Sequence, residues 1–144
     1  TNSVGNYVNT IDYVTVATPG NATDFGDLIL VTFTPSNTSR SGVAVCSDAT
    51  RTVGAGGSTM NGIQYITTDT TGNATDFGDL LATSDDQAAC SNGTVGHILG
   101  GSVNSGNRTN QIQTITIQTT GNATDFGDLT ETVREVAATS GAAS

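Results

Sequence analysis

Three short segments of the chain combine β-branched residues with a regular spacing of apolar positions. They are IDYVTV (residues 11–16), IQYITT (63–68) and IQTITI (112–117). Because β-branched side chains favour extended backbone, each segment is predicted to be a strand. In each segment two apolar residues stand three positions apart, as Ile63 and Ile66 do. Residues three apart in a strand point to opposite faces, so each strand is expected to meet other layers on both sides.

These strands belong to a repeated unit. The string GNATDFGDL occurs three times without a change, at residues 20–28, 72–80 and 121–129, with offsets of 52 and 49 residues. Small-residue segments recur downstream as AVCS (44–47), AACS (88–91) and AATS (137–140). Self-similarity at a fixed period is typical of repeat architectures. The unit is therefore about 50 residues long, with insertions after Leu28 and after Gly101.

Each unit is predicted to contain four short strands. The first is the β-branched segment, the second includes or follows the Asp-Leu end of the shared string, and the third is the small-residue segment. The fourth precedes a Gly-Gly pair, as RTVGA (51–55) and VGHIL (95–99) do. Residues 129–138, LTETVREVAA, align with residues 81–90, which predicts a loop that enters a strand rather than a helix.

Charge and composition exclude several classes of protein. The chain has four Arg, no Lys and thirteen acidic residues, for a net charge of −9. So few cations cannot neutralise a phosphate backbone, and no nucleic-acid partner is expected. No apolar run approaches the ~20 residues that cross a bilayer, so no membrane partner is expected. No motif suggests a cofactor.

The isolated cysteines and the single histidine are not expected to form a site. Cys46 and Cys90 occupy equivalent positions in successive units and are interpreted as buried small apolar residues. A disulfide between them stays open as an alternative if the protein is extracellular. His97 aligns with Val53 and is expected to be a strand residue, since no Ser or Cys pattern gives it a catalytic partner.

The shared string is interpreted as a structural corner. Gly-Asn favours a turn, the first Asp can accept bonds from backbone N–H groups two or three residues on, and the second Gly permits another bend. Phe and Leu are expected to pack into the core. The residues assigned to this role are Asn21, Asp24, Phe25, Gly26, Asp27, Asn73, Asp76, Phe77, Gly78, Asp79, Asn122, Asp125, Phe126, Gly127 and Asp128.

Two chemical alternatives for the corner are weaker. Asp24 and Asp27, with their copies, could hold a cation, but the D-x-x-D spacing lacks the oxygen density of calcium loops. The same pair could act as the two carboxylates of a glycan hydrolase, which need to lie about 5–10 Å apart. Threefold repetition of one corner is unusual for an active site. We therefore expect no catalytic residue and no metal site.

The order of elements resembles a kelch-type β-propeller blade. Gly56-Gly57 and Gly100-Gly101 match the kelch Gly-Gly, IQYITT and IQTITI match the strand after it, and AVCS and AACS match the inner strand. The kelch Trp is absent, and the resemblance implies that the corner Phe residues take its place. Nearly the whole chain, and the GNATDFGDL string above all, resembles repeat proteins of tailed phages that infect cyanobacteria and of related marine viruses.

This resemblance implies an all-β chain of propeller-like blades. It is expected to form one domain, residues 1–144, with units of about 1–43, 44–87 and 88–144, the last incomplete. A closed three-fold β-trefoil or β-prism is the alternative. A propeller needs about four to eight blades, so the chain is either part of a longer propeller or half of a ring of two chains, and strand exchange between chains is a further alternative. The Gly-Gly strand that the third unit lacks favours completion by neighbouring chains.

The same resemblance implies a non-enzymatic, structural or adhesive part of a virion, such as a tail fibre. The protein is then located on the virion, outside cells, and its partners are copies of itself, other virion proteins or surface glycans. The alternative function is a three-fold carbohydrate-binding module. The absence of Trp weakens that alternative, since sugar faces stack on aromatic rings.

Overall fold

The protein is all-β over the residues that its computed structural model describes, which are 9–29, 42–57, 60–104 and 107–140. These residues form twelve strands in three sheets and no helix, which confirms that the fold is all-β. The first sheet has two strands, β1 (Thr10–Tyr13) and β2 (Thr23–Asp27). The second has the order β3 (Ala44–Ser47), β4 (Arg51–Ala55), β5 (Gly62–Thr67) and β6 (Thr75–Asp79).

The third sheet has six strands. They are β7 (Ser84–Asp85), β8 (Ala88–Ser91), β9 (Val95–Leu99), β10 (Ser102–Val103), β11 (Asn107–Thr116) and β12 (Thr124–Val133). Strands β8, β9, β11 and β12 pair in succession and are all antiparallel, as β3 to β6 are in the second sheet. The two-residue strand β10 lies in the insertion after Gly101 and pairs with β7 and β11. Most of the insertion after Leu28 falls outside the described residues.

Local sequence predicts several strands well. The two segments before the Gly-Gly pairs, residues 51–55 and 95–99, are β4 and β9 with the expected bounds, and His97 is a strand residue.

Two expectations about the strands are wrong. Residues 129–133 continue β12 because Thr109 of β11 pairs with Val133. The AATS segment, residues 137–140, is not a strand, since no equivalent of β4 is present beside it among the described residues.

The three hairpins that contain GNATDFGDL have the same register. Ile11 lies opposite Gly26, Ile63 opposite Gly78 and Ile112 opposite Gly127. After each of these pairs the register shifts by one residue, because the next paired residues are Asp12 with Asp24, Gln64 with Asp76 and Gln113 with Asp125. The extra residue is the Phe of the string, so each hairpin has a β-bulge at the same place.

Two further turns recur in the second and third sheets. Asp48 Oδ1 accepts the N–H groups of Thr50 and Arg51 at 2.8 Å each, and Asn92 Oδ1 accepts those of Thr94 and Val95 at 3.0 and 2.9 Å. Short polar side chains stabilise turns by such bonds. These turns connect β3 with β4 and β8 with β9.

The Gly-Gly pairs adopt one conformation. Gly56 and Gly100 have φ of +67° and +60°, and Gly57 and Gly101 have φ of +93° and +100°. A Cβ on Gly101 would lie 2.6 Å from the carbonyl oxygen of Asp85, so only glycine fits there. The pairs end β4 and β9 and turn the chain toward the next strand.

The core lies between the second and third sheets. Val53, Ile63 and Phe77 come from the second sheet and Ile98 and Ile115 from the third, and all are buried. The sheets approach closely, since a Cβ on Gly96 of β9 would lie 2.6 Å from Cys46 Sγ of β3. The prediction of apolar contacts on both faces does not hold everywhere. Val14, beside the short β1, is 58 % exposed.

Candidate functional site

The candidate site is the row formed by the three copies of GNATDFGDL, here called the first corner (residues 20–28), second corner (72–80) and third corner (121–129). Each corner begins in the turn of its hairpin and runs through the bulged strand. The sequence places the corners 52 and 49 residues apart, whereas the fold brings them side by side.

The second corner is hydrogen-bonded to the first through backbone and side chain. Gly72 N–H donates to the Phe25 carbonyl at 2.7 Å, and Ala74 N–H donates to the Asp27 carbonyl at 2.8 Å. Asp27 N–H donates to Asn73 Oδ1 at 3.0 Å. The donors and acceptors both advance by two residues in the same direction, which is the spacing of a parallel ladder.

The third corner is bonded to the second in the same way. Gly121 N–H donates to the Phe77 carbonyl at 2.7 Å and Ala123 N–H to the Asp79 carbonyl at 2.8 Å. Asp79 N–H donates to Asn122 Oδ1 at 3.0 Å. The three hydrogen-bond distances of this contact therefore agree to within 0.1 Å with those between the first and second corners. This agreement indicates that the repeated string determines how one corner binds the next, as well as the shape of its own turn.

Glycine is required in the bulged strand because the next corner lies against it. Gly26 and Gly78 have φ of +149° and +148°, a region that side chains disfavour. A Cβ on Gly26 would collide with the Gly72 carbonyl, and one on Gly78 would collide with the Gly121 carbonyl. Gly127 has the same φ, +145°, but a Cβ there would meet no atom within 4 Å.

The corner phenylalanines have unequal environments. Phe25 and Phe77 are buried and make edge-to-face contacts with Tyr13 and Tyr65, with ring centroids 6.0 and 6.1 Å apart. Phe126 is 62 % exposed, so the expectation that all three pack into the core is wrong for it. The next corner is hydrogen-bonded to the backbone carbonyls of Phe25 and Phe77, whereas no other corner follows the third among the described residues.

His97 takes over the aromatic contact of the third hairpin. Thr114 stands where Tyr13 and Tyr65 stand in the other hairpins, and it lies opposite His97 of β9. The His97 ring packs 4.4 Å from the Phe126 ring, at 53°. His97 Nδ1 is buried and has no hydrogen-bond partner among the described residues.

The aspartates of the corner do not make the side-chain bonds that the sequence suggests. No hydrogen bond to the carboxylates of Asp24, Asp76 or Asp125 is found in the described part of the chain, so these side chains do not brace the turn locally. Leu80 is buried, whereas Leu28 and Leu129 are half-buried. The residue that orders the corner is the Asn, and its partner lies in the preceding corner.

Two glutamines that sequence reasoning missed add to the same contact. Gln64 Oε1 accepts the N–H of Ile29 at 2.9 Å, and Gln113 Oε1 accepts the N–H of Leu81 at 2.8 Å. Both glutamines are buried. The available signal was that they align with each other and follow the first Ile of the strand. The aligned residue of the first hairpin is Asp12.

Two shallow grooves lie at equivalent places beside the hairpin turns. One, of about 260 Å³, is lined by Thr70, Thr71 and Asn73 among others. The second, of about 480 Å³, is lined by the aligned residues and also by the exposed Phe126. Threonine hydroxyls and an Asn amide therefore face solvent in a pattern that recurs from one hairpin to the next.

The cysteines are free. Cys46 is buried, and burial, with a smaller contribution from nearby Cys90, raises the pKa of its thiol from 9.0 to about 11. A thiol with a raised pKa is a poor nucleophile because the thiolate is the reactive form. Cys46 is on β3 of the second sheet and Cys90 is on β8 of the third. Cys90 is half-buried, so the expectation of two buried cysteines is wrong for it.

The described residues contain no cluster of three or more His, Cys, Asp or Glu side chains that could hold a metal ion. Within the same residues no helix is long and apolar enough to cross a membrane. No protein-family model matches the chain, and no curated protein sequence does.

Proposed function

We propose that this protein is a non-enzymatic, structural or adhesive component of a virion, such as a tail fibre or surface appendage. The proposal includes its architecture, which is three four-stranded repeats of about 50 residues that act as propeller-like blades. The observation that carries it is the recurrence of one contact: Asn73 bonds to Asp27 as Asn122 bonds to Asp79. Because the polar groups of the repeated string hydrogen-bond one unit to the next, its role is to hold the units of the protein together.

The architecture has further support from two hydrogen bonds between aligned serines outside the corners. Ser91 Oγ donates to the Ser47 carbonyl at 2.6 Å, and Ser91 N–H donates to Ser140 Oγ at 2.9 Å. These three serines end the aligned segments AVCS, AACS and AATS. AATS is therefore bonded to β8, and β8 to β3, so each of the later two segments contacts the aligned segment before it.

Labelling of virus particles tests the virion role. Antibodies raised against the purified chain are applied to intact particles of the virus that encodes it, with gold detection in the electron microscope. We expect label on tail fibres or surface appendages, lost after preincubation with the purified chain. Label confined to lysed host cells, with none on particles, contradicts the proposal.

A second candidate function is carbohydrate binding, and the recurring grooves favour it. Hydroxyl and amide groups beside an exposed ring, as in the groove with Phe126, suit a sugar face. A glycan array compares the chain with a Thr71→Arg/Thr120→Arg variant, which blocks both grooves. Specific signal lost in the variant supports binding, whereas equal signal from both proteins rejects these grooves as the site.

A further inference from the structure

We propose that the protein associates head to tail with a second copy of itself through the contact that already joins its corners. The third corner of one copy receives residues 20–22 of the other, as the second corner receives residues 121–123 within the chain. This inference rests on the repeat architecture proposed above and names the partner and the surface.

The third corner has the features of an unfilled receiving surface. Phe126 is 62 % exposed, whereas its counterparts Phe25 and Phe77, whose carbonyls are hydrogen-bonded to the next corner, are 8 % and 3 % exposed. Gly127 keeps the φ that Gly78 has, although nothing lies within 4 Å of its Cβ position. The backbone is therefore shaped for a neighbour that no described residue supplies.

The first corner has the features of the inserting surface. Ala74 and Ala123, which lie against the preceding corner, are 7 % and 3 % exposed, while the aligned Ala22 is exposed. Asn73 and Asn122 each accept a backbone N–H from the preceding corner, whereas the aligned Asn21 has no hydrogen-bond partner among the described residues. In the proposed contact, the Asp128 N–H of one copy therefore donates to Asn21 Oδ1 of the other copy.

Asp12 is placed to make a further hydrogen bond in the proposed contact between two copies. It aligns with Gln64 and Gln113, whose side-chain oxygens accept the N–H of the residue after the corner Leu. In the proposed dimer the corresponding donor is Thr130 N–H. An ionised carboxylate is an acceptor without a donor, so Asp12 can make this bond.

The two surfaces are different and complementary, so the contact is heterologous. The described residues of each copy provide one receiving and one inserting surface, and such contacts form rings if they close and filaments if they do not. The receiving surface is the outer side of β12, an edge strand, and an open edge accepts a strand from another chain. The bonds would repeat those that Phe77 and Asp79 make with the third corner.

Single substitutions on either surface test the proposal. Ala22→Arg places a long charged side chain where a buried alanine is needed, and Phe126→Asp removes the apolar contact. We expect the chain to self-associate in sedimentation velocity at micromolar to millimolar concentration. Each variant is expected to raise the apparent Kd by about 30-fold or more, the size of a hot-spot loss. Circular dichroism confirms that each variant folds.

The matched control is Ala49→Arg, the same change at an exposed alanine in the turn between β3 and β4. It should leave association unchanged, because Ala49 belongs to neither surface. If it weakens association as strongly as Ala22→Arg does, added charge rather than the contact is responsible, and the proposal is wrong.

Mixing the variants distinguishes this contact from a symmetric one. The Ala22→Arg chain retains an intact receiving surface and the Phe126→Asp chain an intact inserting surface. A one-to-one mixture is therefore expected to form a dimer of one copy of each with an apparent Kd near that of the unchanged protein, although each variant alone associates far more weakly. A symmetric contact would not be restored by mixing.

Two results overturn the inference. One is a chain that stays monomeric up to about 1 mM, and the other is association that survives both substitutions. Neither result affects gold labelling of particles, so failure of the head-to-tail contact and failure of the virion role are distinguishable.

Discussion

The side-chain oxygen of Asn122 accepts the backbone N–H of Asp79 at 3.0 Å, across 43 residues of sequence. The aligned pair, Asn73 and Asp27, makes the same bond at the same distance across 46 residues. A Gly-Asn pair usually indicates a local turn. Here the Asn side chain acts between hairpins and takes the place of a backbone acceptor in a parallel ladder.

Removing this acceptor is expected to destabilise the fold. Asn122→Ala and Asn73→Ala should each lower the free energy of unfolding by about 1 kcal/mol, the net contribution of one hydrogen bond. Asn21→Ala is the matched control, because no other corner precedes the first one among the described residues and the Asn21 side chain is exposed there. Urea unfolding followed by circular dichroism, at a concentration low enough to avoid association, measures the three variants. Equal losses in all three would show that the Asn acts within its own turn.

Two glycine substitutions in the bulged strands distinguish the cost of an unfavourable φ from the cost of a steric collision. Gly127→Ala adds a side chain at unfavourable φ in open space, which costs on the order of 1–3 kcal/mol. Gly78→Ala has the same strain and also drives a Cβ into the Gly121 carbonyl. Overpacking adds about 1–3 kcal/mol, so Gly78→Ala is expected to be the more destabilising by that amount. Chemical denaturation of both variants measures the difference, and equal losses contradict the close approach of the corners.

Replacing the phenylalanine of the second corner should also destabilise the protein more than replacing that of the third. Phe77→Ala removes a buried ring and is expected to cost about 3–5 kcal/mol. Phe126→Ala removes a ring that is 62 % exposed, and its effect should remain below about 1 kcal/mol in the monomer. Thermal unfolding of the dilute proteins measures both. A large loss from Phe126→Ala would mean that the third corner is covered within one chain.

Titration of Cys46 should weaken the fold at alkaline pH. Burial and nearby Cys90 raise its pKa from 9.0 to about 11, so the folded state favours the neutral thiol. Its contribution to stability is complete below pH 9 and is lost as the pH rises toward 11. The difference in urea midpoint between the protein and its Cys46→Ala variant, measured from pH 8 to 11, isolates this effect from other titrating groups.

Cys90→Ala provides the control for that experiment. Because burial is the larger cause of the shift, the alkaline loss should persist when Cys90 is removed. A pH profile of Cys46→Ala parallel to that of the unchanged protein would contradict a raised pKa.

Asp48 should contribute in the opposite pH range. The Gln118 side-chain amide, and then the backbone N–H groups of Thr50 and Arg51, lower the pKa of Asp48 from 3.8 to about 2. This contribution is present above pH 4 and is lost as the pH falls to 2. In Asp48→Asn the turn bonds persist, as they do at Asn92, while the bond from Gln118 at 2.6 Å is lost. Urea midpoints from pH 7 to 2 should converge for the two proteins, and a constant difference rejects the assignment.

The sequence by itself determined what depends on neighbouring residues. β-Branched runs specify strands, and Gly-Gly pairs end two of them, so β4 and β9 were predicted with their bounds. Identity of the three strings predicted a common local structure, and the hairpins share one register and one bulge. Such features follow from backbone sterics and side-chain branching within a single hairpin.

Only the tertiary structure decided how the corners are used. The partner of Asn73 is 46 residues away, and identical strings place Phe77 in the core and Phe126 in solvent. No local pattern distinguishes these phenylalanines, because their burial depends on whether another segment lies on the strand edge. Burial and long-range hydrogen bonding depend on a segment that is distant in the sequence. Whether the backbone groups of a strand edge have hydrogen-bond partners is therefore decided only when the chain folds.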